Sequence, residues 1–445
     1  MKYNRIAPAL LLAMLSIFAT SCDFTKGFDE DPNNAGDAPT STIYNSALVG
    51  SIVPISGENA RLAAMWSRHF TGEDRQYSAY NIYTVAAPDF SWDYHYTTWN
   101  SQINLVQERA TESGNNFYVG NMLTMKALSF GTMTALWGDI PFSEANKFPE
   151  IEDPKFDSQT EVYAGVQSLL DEAIAAYATN VGGPSGGNDF FFGGDKAKWS
   201  AASSSLKARY FLHTKNYAAA RSAAQNGIAS PDGDMLIPHE GLYNQNMNLY
   251  HSFLVLDRDT YMGASDSYLA SILDPASSNY RGGAKTNEAE RFAYIFNKEG
   301  EDYFINTEGV FGATTSFPII TYVETQLILA EAAFELGDRA AALAALNNVR
   351  AYNEDRYGGT YTAYTESDLQ GVELKKEILE EKYVSLVGQI EVFNDIRRTN
   401  NILGIPPTQG TQIPQRFLYP QSEVSSNQNT PSPIPALFDK TPVNQ

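Results

Sequence analysis

Cysteine is all but missing from the chain. Cys22 is the only one among 445 residues, so no internal disulfide and no thiolate metal cluster can form. Histidine is scarce too: His69, His95, His213, His239 and His251 show neither an H-E-x-x-H pattern nor another metal spacing, which argues against zinc. No G-x-S-x-G elbow marks a nucleophile. The glycine-rich Thr179 to Gly194 has no G-x-x-x-x-G-K-[ST] pattern and no strand before it, which removes a phosphate loop. After the first two dozen residues no apolar run reaches the ~18 residues that a membrane helix needs. Positive charge is in deficit, with 31 Lys and Arg against 52 Asp and Glu and a formal net charge of −21. That balance disfavours nucleic acid or any polyanion as a partner. So many acids place carboxylate pairs at glycosidase separation by chance, and no catalytic residue is assigned from the sequence. Asp29-x-Asp31-x-Asn33 looks like the start of a calcium loop, but Pro32 intrudes and the glycine comes late, at Gly36. No metal site and no cofactor is expected.

What the first segment does contain is an export signal: Lys2 and Arg5, an apolar run from Ile6 to Phe18, then Ala19-Thr20-Ser21-Cys22. Small residues before a solitary cysteine form a lipobox. The expectation is a signal peptide over residues 1–21, acylation of Cys22, and a polar tether over 22–40, with lipid as the only membrane attachment.

The remainder, 41–445, reads as one large, mainly α-helical domain, and its organising stretch is Thr321 to Arg350. Val323, Leu327, Ala330 and Phe334 recur at helical spacing, Gly337-Asp338 ends one helix and caps the next, and Leu343, Leu346 and Val349 start a second stripe. Ala332, Ala333, Ala341, Ala342 and Ala345 let the two helices approach closely, as in a tetratricopeptide-like hairpin. One hairpin cannot bury its own face. Trp199 to Ile228 repeats the plan, with Lys215-Asn216-Tyr217 at the turn and Ala220 and Ala223 matching Ala342 and Ala345. Ser158-x-x-Glu161 is a capping box that opens another helix, and Phe117 to Trp137 is apolar almost all round, as a central helix should be. The spacing predicts repeat helices over roughly 41–73, 97–178, 199–229 and 319–398. Between them lie irregular segments, roughly 74–96 and 230–318, the second with a helix at Ser267 to Leu273. A proline-rich tail over 399–445 is expected to run over the surface.

Several stretches together resemble the SusD/RagB-like outer-membrane lipoproteins, in particular the SusD-like nutrient-binding subgroup. They are the lipobox followed by FDEDPNNAGDAPT, ALWGDIPFSEA, DFFFGGDKAKWSAASSSLKARY, FPIITYVETQLILAEAAFELGD, and EILEEKYVSLVGQIEVFNDIRRTN followed by IPQRFLYPQSEVSSN. The resemblance implies about four tetratricopeptide-like hairpins packed against a loop-rich, irregular ligand-binding region. It also implies a cell-surface lipoprotein that captures a nutrient, by default an oligosaccharide, and passes it to a SusC-like TonB-dependent transporter in the outer membrane. The chain departs from the family pattern at Ala276, where arginine is usual after Asp-Pro, and at Phe393, where tryptophan is common. Arg397-Arg398, at a helix end, reads as structural, satisfying carbonyls or buried acids.

Aromatic residues are abundant, at 12%, with 26 tyrosines. Sugars offer C–H faces for rings and hydroxyls for polar side chains, so a binding surface should combine exposed aromatics with Asp, Asn and Arg. Asp74, Arg75, Tyr77, Tyr80, Trp92, Tyr94 and Tyr96 form the first candidate stretch, where Trp92, Tyr94 and Tyr96 would share one side if locally extended. Tyr243, Asn246, Asn248, Tyr250 and Tyr261 form the second. Two other functions fit parts of the sequence: a lipid-anchored glycan hydrolase, and a helical scaffold without a small-molecule ligand.

Overall fold

A computed structural model describes residues 38–184 and 187–445. The expected signal peptide, Cys22 and nearly all of the expected tether fall outside the described residues.

The hairpins form where capping and periodicity place them. Thr321 accepts from the Glu324 amide to open the Tyr322–Glu335 helix. Gly337 turns the chain at φ 81°, which glycine adopts without cost, and Asp338 caps the next helix through the Ala341 amide. That second helix runs Arg339–Tyr357, past the expected end at Arg350, and stops at Gly358 with φ 74°. In the other hairpin Asn216 caps Tyr217–Ala224 after the Lys196–His213 helix. The Ser158 capping box opens Gln159–Ala178.

These elements stack in a continuous row. Ser101–Glu112 lies on Asn116–Trp137, which lies on Gln159–Ala178, then Lys196–His213, Tyr217–Ala224, Tyr322–Glu335 and Arg339–Tyr357. Glu373–Ser385 packs on Tyr322–Glu335, and Ile390–Arg398 closes back on Glu58–Trp66. The two hairpins legible in the sequence meet each other through Ala208, Leu212, Ala220, Ala224, Ile328 and Ala332. Beside this small-residue contact, Arg209 grips Glu324 with two bonds of 2.7 and 2.6 Å, and Arg398 grips Glu331 with two of 2.6 Å, all four side chains buried. Such buried pairs fix helix positions, because either partner alone would be a desolvated charge.

Asn116–Trp137 is buried nearly all round. Gly120 and Gly131 permit this: a Cβ there would stand 2.5 Å from the Tyr177 ring and 2.2 Å from the Tyr210 ring. The helix ends with carbonyls that need donors. Arg397 donates to Ala135 O at 2.8 Å, and Arg416 donates to Trp137 O.

This corrects the expectation for the tail. Residues 399–445 are largely irregular, but the segment does not stay on the surface. Ile405, Ile413, Arg416, Phe417 and Tyr419 are buried, and the Phe417 ring lies 5.2 Å from Trp66 and 5.4 Å from Trp137. Proline content reports irregular backbone, not depth. Phe393 belongs to the same cluster, 5.6 Å from Trp66 with the Arg397 guanidinium 4.1 Å above its ring. Near Ala276, the Asp274 carboxylate is held by Lys298 and Tyr303.

The segments expected to be irregular carry more helix than their lack of period suggested. Residues 74–96 include the Arg75–Asn81 helix and the start of a π-helical turn over Tyr94–Asn100. Residues 230–318 include the expected Tyr268–Leu273 helix, the Ala289–Ile295 helix and a second π-helical turn over Ser252–Asp257. Antiparallel two-stranded pairs tie these segments down: Met235–Ile237 with Phe317–Ile320, Phe296–Glu299 with Asp302–Ile305, and Thr71–Gly72 with Met262–Gly263.

Candidate functional site

The Thr71–Gly72 and Met262–Gly263 pair brings the two candidate stretches together. Thr71 faces Gly263, Gly72 faces Met262, and the Glu73 amide donates to Tyr261 O at 2.8 Å. Glycine is required at position 72, where a Cβ would lie 2.1 Å from Tyr77 O. The result is a ridge built from residues 68–83 on one side and 243–266 on the other.

A buried base supports it. Tyr77 is only 1% exposed; its hydroxyl donates to Glu58 at 2.6 Å and accepts from Arg61 Nε at 2.9 Å. Arg61 lies 4.2 Å above the Phe253 ring, which sits 5.0 Å from Tyr77, and Tyr261 closes the group 5.9 Å from Tyr77. Above the base, Asp74 accepts from the Arg75 amide at 2.8 Å and from the Thr260 hydroxyl at 3.0 Å. Asp257 accepts from the Tyr243 and Ser252 hydroxyls, each at 2.6 Å, and Arg258 lies 5.5 Å over the Tyr261 ring. Tyr80 donates to Asp89 at 3.0 Å. Arg75, Tyr243, Val255, Leu256, Asp257, Arg258 and Thr260 are exposed, and Tyr80 and Tyr261 are partly so.

The backbone beneath is strained. Arg68, Arg75 and Tyr83 all have positive φ, at 62°, 52° and 65°. For bulky residues this conformation costs roughly 1–3 kcal/mol each and gathers at ligand sites. Both π-helical turns, an uncommon geometry that concentrates at functional sites, fall within or directly beside the candidate stretches.

Two of the ridge acids, Asp74 and Asp257, are held ionised. Hydrogen bonds from the Arg75 amide and Thr260 keep the Asp74 carboxyl below its ordinary range, and those from Ser252 and Tyr243 do the same for Asp257. The surface therefore offers charged acceptors, guanidinium donors and tyrosine rings, which suits a hydroxyl-rich ligand.

The other candidates are placed differently. Trp92, Tyr94 and Tyr96 do not form an extended strand; the chain there enters the π-helical turn, so the three rings diverge. Trp92 is 3% exposed among Tyr96, Trp137, Phe156 and Tyr419, with ring centroids 5.6 to 6.2 Å away. Tyr96 is partly covered, its hydroxyl donating to Pro141 O at 2.6 Å. Tyr94 alone of the three projects outward, 53% exposed. In the second stretch Tyr250 is core, stacked 4.1 Å from Phe311 and bonded to Gly388 O, while Asn248 caps the short turn that begins at Leu249. Asn246 accepts from the Leu242 amide. Sequence reading passed over Asp257, Arg258 and Thr260, although the polar Asp257 to Thr260 run directly before Tyr261 was a signal.

Solved structures with this architecture are diverged in sequence. A chitin-binding protein superposes with a TM-score of 0.70 at 19% identity, over 88% of this chain and 95% of that one. A SusD homologue from Bacteroides uniformis gives 0.68 at 16%, over 91% and 98%. A chitin-binding SusD homologue from Flavobacterium johnsoniae gives 0.66 at 15%, over 86% and 93%. No curated protein matches the sequence. Residues 32–420 match the SusD-like family described as starch-binding and associating with the outer membrane, and the chain belongs to that family.

Proposed function

We propose that the protein is a cell-surface lipoprotein that captures an oligosaccharide on the 68–83/243–266 ridge and delivers it to a SusC-like TonB-dependent transporter. The observation that carries this reading is the convergence of Asp74, Arg75, Tyr80 and Tyr261 with Tyr243, Asp257 and Arg258 above a fixed, buried base. Tyr94 is an exposed ring of the first stretch, Tyr77 supports the ridge from beneath, and Trp92 belongs to a separate buried cluster with Trp137 and Tyr419. Cys22 supplies the lipid anchor, and the rigid row of hairpins supplies a face broad enough for a stable protein partner.

Calorimetric titration with malto- and chito-oligosaccharides tests the ligand class. Binding without turnover is expected, and Tyr261→Ala together with Arg258→Ala should weaken it by about 1–3 kcal/mol. Turnover of any oligosaccharide would favour the hydrolase, and the absence of any glycan-induced rise in melting temperature would favour the scaffold. Cys22→Ala should release the protein from the membrane fraction, and the intact lipoprotein should co-purify with a TonB-dependent barrel in mild detergent.

A further inference from the structure

A cavity of about 220 Å³ opens at the far end of the Arg339–Tyr357 helix, built by residues that the ridge does not use. It shares Thr315, Ser316, Arg356 and Gln389 with an adjoining space of about 80 Å³. The larger space equals roughly seven waters of liquid volume, enough for one small molecule. Its walls come from the Met235–Ile237/Phe317–Ile320 strand pair, the two helices of the Thr321 hairpin, and the turn between Glu373–Ser385 and Ile390–Arg398.

Three polar groups line it with hydrogen-bonding capacity that the protein does not use. Arg356 makes no ion pair among the described residues; its guanidinium sits among the rings of Tyr357 at 5.4 Å, Tyr294 at 5.6 Å and Tyr352 at 6.0 Å, with bonds to the Tyr352 hydroxyl at 2.9 Å and the Tyr294 hydroxyl at 3.5 Å. Asp234 accepts only from the Tyr322 amide, at 2.6 Å, and burial pushes its carboxyl up to about 7. Gln389 is 6% exposed and lines both spaces; its backbone amide donates to Leu386 O at 3.1 Å, while its side-chain amide makes no hydrogen bond to another described residue and faces the open space. Buried polar groups are normally satisfied, and an amide left open toward a cavity points to a ligand or to water. An unpaired guanidinium flanked by aromatics fits a carboxylate, and a carboxyl in the same cavity with one oxygen unused fits an ammonium. The net charge of the two groups is zero when both are ionised, so a ligand carrying both charges is matched and one carrying a single charge is not.

We infer that this cavity binds a small zwitterion of amino-acid to dipeptide size, its carboxylate on Arg356, its ammonium on Asp234, and a polar group on Gln389. The site is separate from the ridge, and the inference does not rest on the glycan reading.

Calorimetric titration of the full chain with L-alanine and with L-alanyl-L-alanine tests it and separates the two ligand lengths. At least one should bind. N-acetyl-L-alanyl-L-alanine and L-alanyl-L-alaninamide should bind the site at least ten-fold more weakly than the better of the two. Arg356→Gln, at an exposed position, should abolish the difference between the free acid and the amide. Asp234→Asn, which keeps an acceptor for the Tyr322 amide, should abolish the difference between the free and acetylated amine. Tyr261→Ala on the ridge should leave all four affinities unchanged. Absence of binding by both zwitterions, equal binding of the blocked forms, or an affinity untouched by Arg356→Gln would overturn the assignment.

Discussion

Replacing Trp92 and Tyr94 separately by alanine discriminates between two readings of the same aromatic stretch. The Trp92 ring is covered by four aromatic neighbours and is 3% exposed, whereas Tyr94 is 53% exposed. A buried tryptophan removes roughly 150–250 Å² from water, worth about 4–6 kcal/mol at ~25 cal/mol per Å². Measured truncations of this kind cost about 3–5 kcal/mol, so about 4 kcal/mol is expected for Trp92→Ala. With an unfolding entropy of ~2.1 cal/mol/K per residue over roughly 400 residues, that loss lowers Tm by about 5 °C. Tyr94→Ala should change stability by no more than about 0.5 kcal/mol, a shift under about 1 °C. Thermal melts followed by circular dichroism, paired with oligosaccharide titration of each variant, make the comparison. If Trp92→Ala melted like the parent and lost glycan affinity, the ring would be a ligand contact and the packing argument would fail. If Tyr94→Ala destabilised as much as Trp92→Ala, the exposure argument would fail.

Glu324→Ala should cost about 3–5 kcal/mol by leaving Arg209 buried beside Ile319 O and a carboxylate no nearer than Glu391 at 3.8 Å. The double variant Arg209→Met/Glu324→Met should lose less than the two single losses combined, by about 0.5–3 kcal/mol in urea titrations, and strict additivity would refute the pair. Gly131→Ala should destabilise by about 1–3 kcal/mol, because its Cβ would fall 2.2 Å from the Tyr210 ring; a neutral result would show that the ring can yield. Stability should also depend on acid. Burial alone would raise the Glu381 carboxyl, but Arg291 and Arg281 outweigh it and hold the group at about 2. A depressed folded-state pKa contributes stability above the ordinary carboxylate range, which is lost as pH falls from about 4.5 toward about 2. Glu381→Gln should flatten that part of the stability profile, and an unchanged acid limb would refute the assignment.

The hairpins were legible because their causes are local. Gly337-Asp338, Asn216 and the Ser158 capping box act within four residues, and the alanine stripes record which faces must approach. The family resemblance was legible for the same reason, since its motifs are short runs on those helices. The place of Arg397-Arg398 at a helix end could also say that they are structural. It could not say that Arg398 reaches Glu331 while Arg397 serves the carbonyl end of Asn116–Trp137, since both contacts join elements far apart in the chain. The same limit hid the burial of Phe417, which proline-rich neighbours disguise as surface. It also left the candidate aromatics unsorted: Tyr80, Tyr94 and Trp92 are similar letters in one stretch, and their exposure depends on what covers them. Residue types and local periods determined the helices and the kind of ligand surface to look for. Only tertiary structure decided that the two separate tyrosine-rich stretches form one ridge, because that depends on the pairing of Thr71 with Gly263, residues 192 positions apart in the chain.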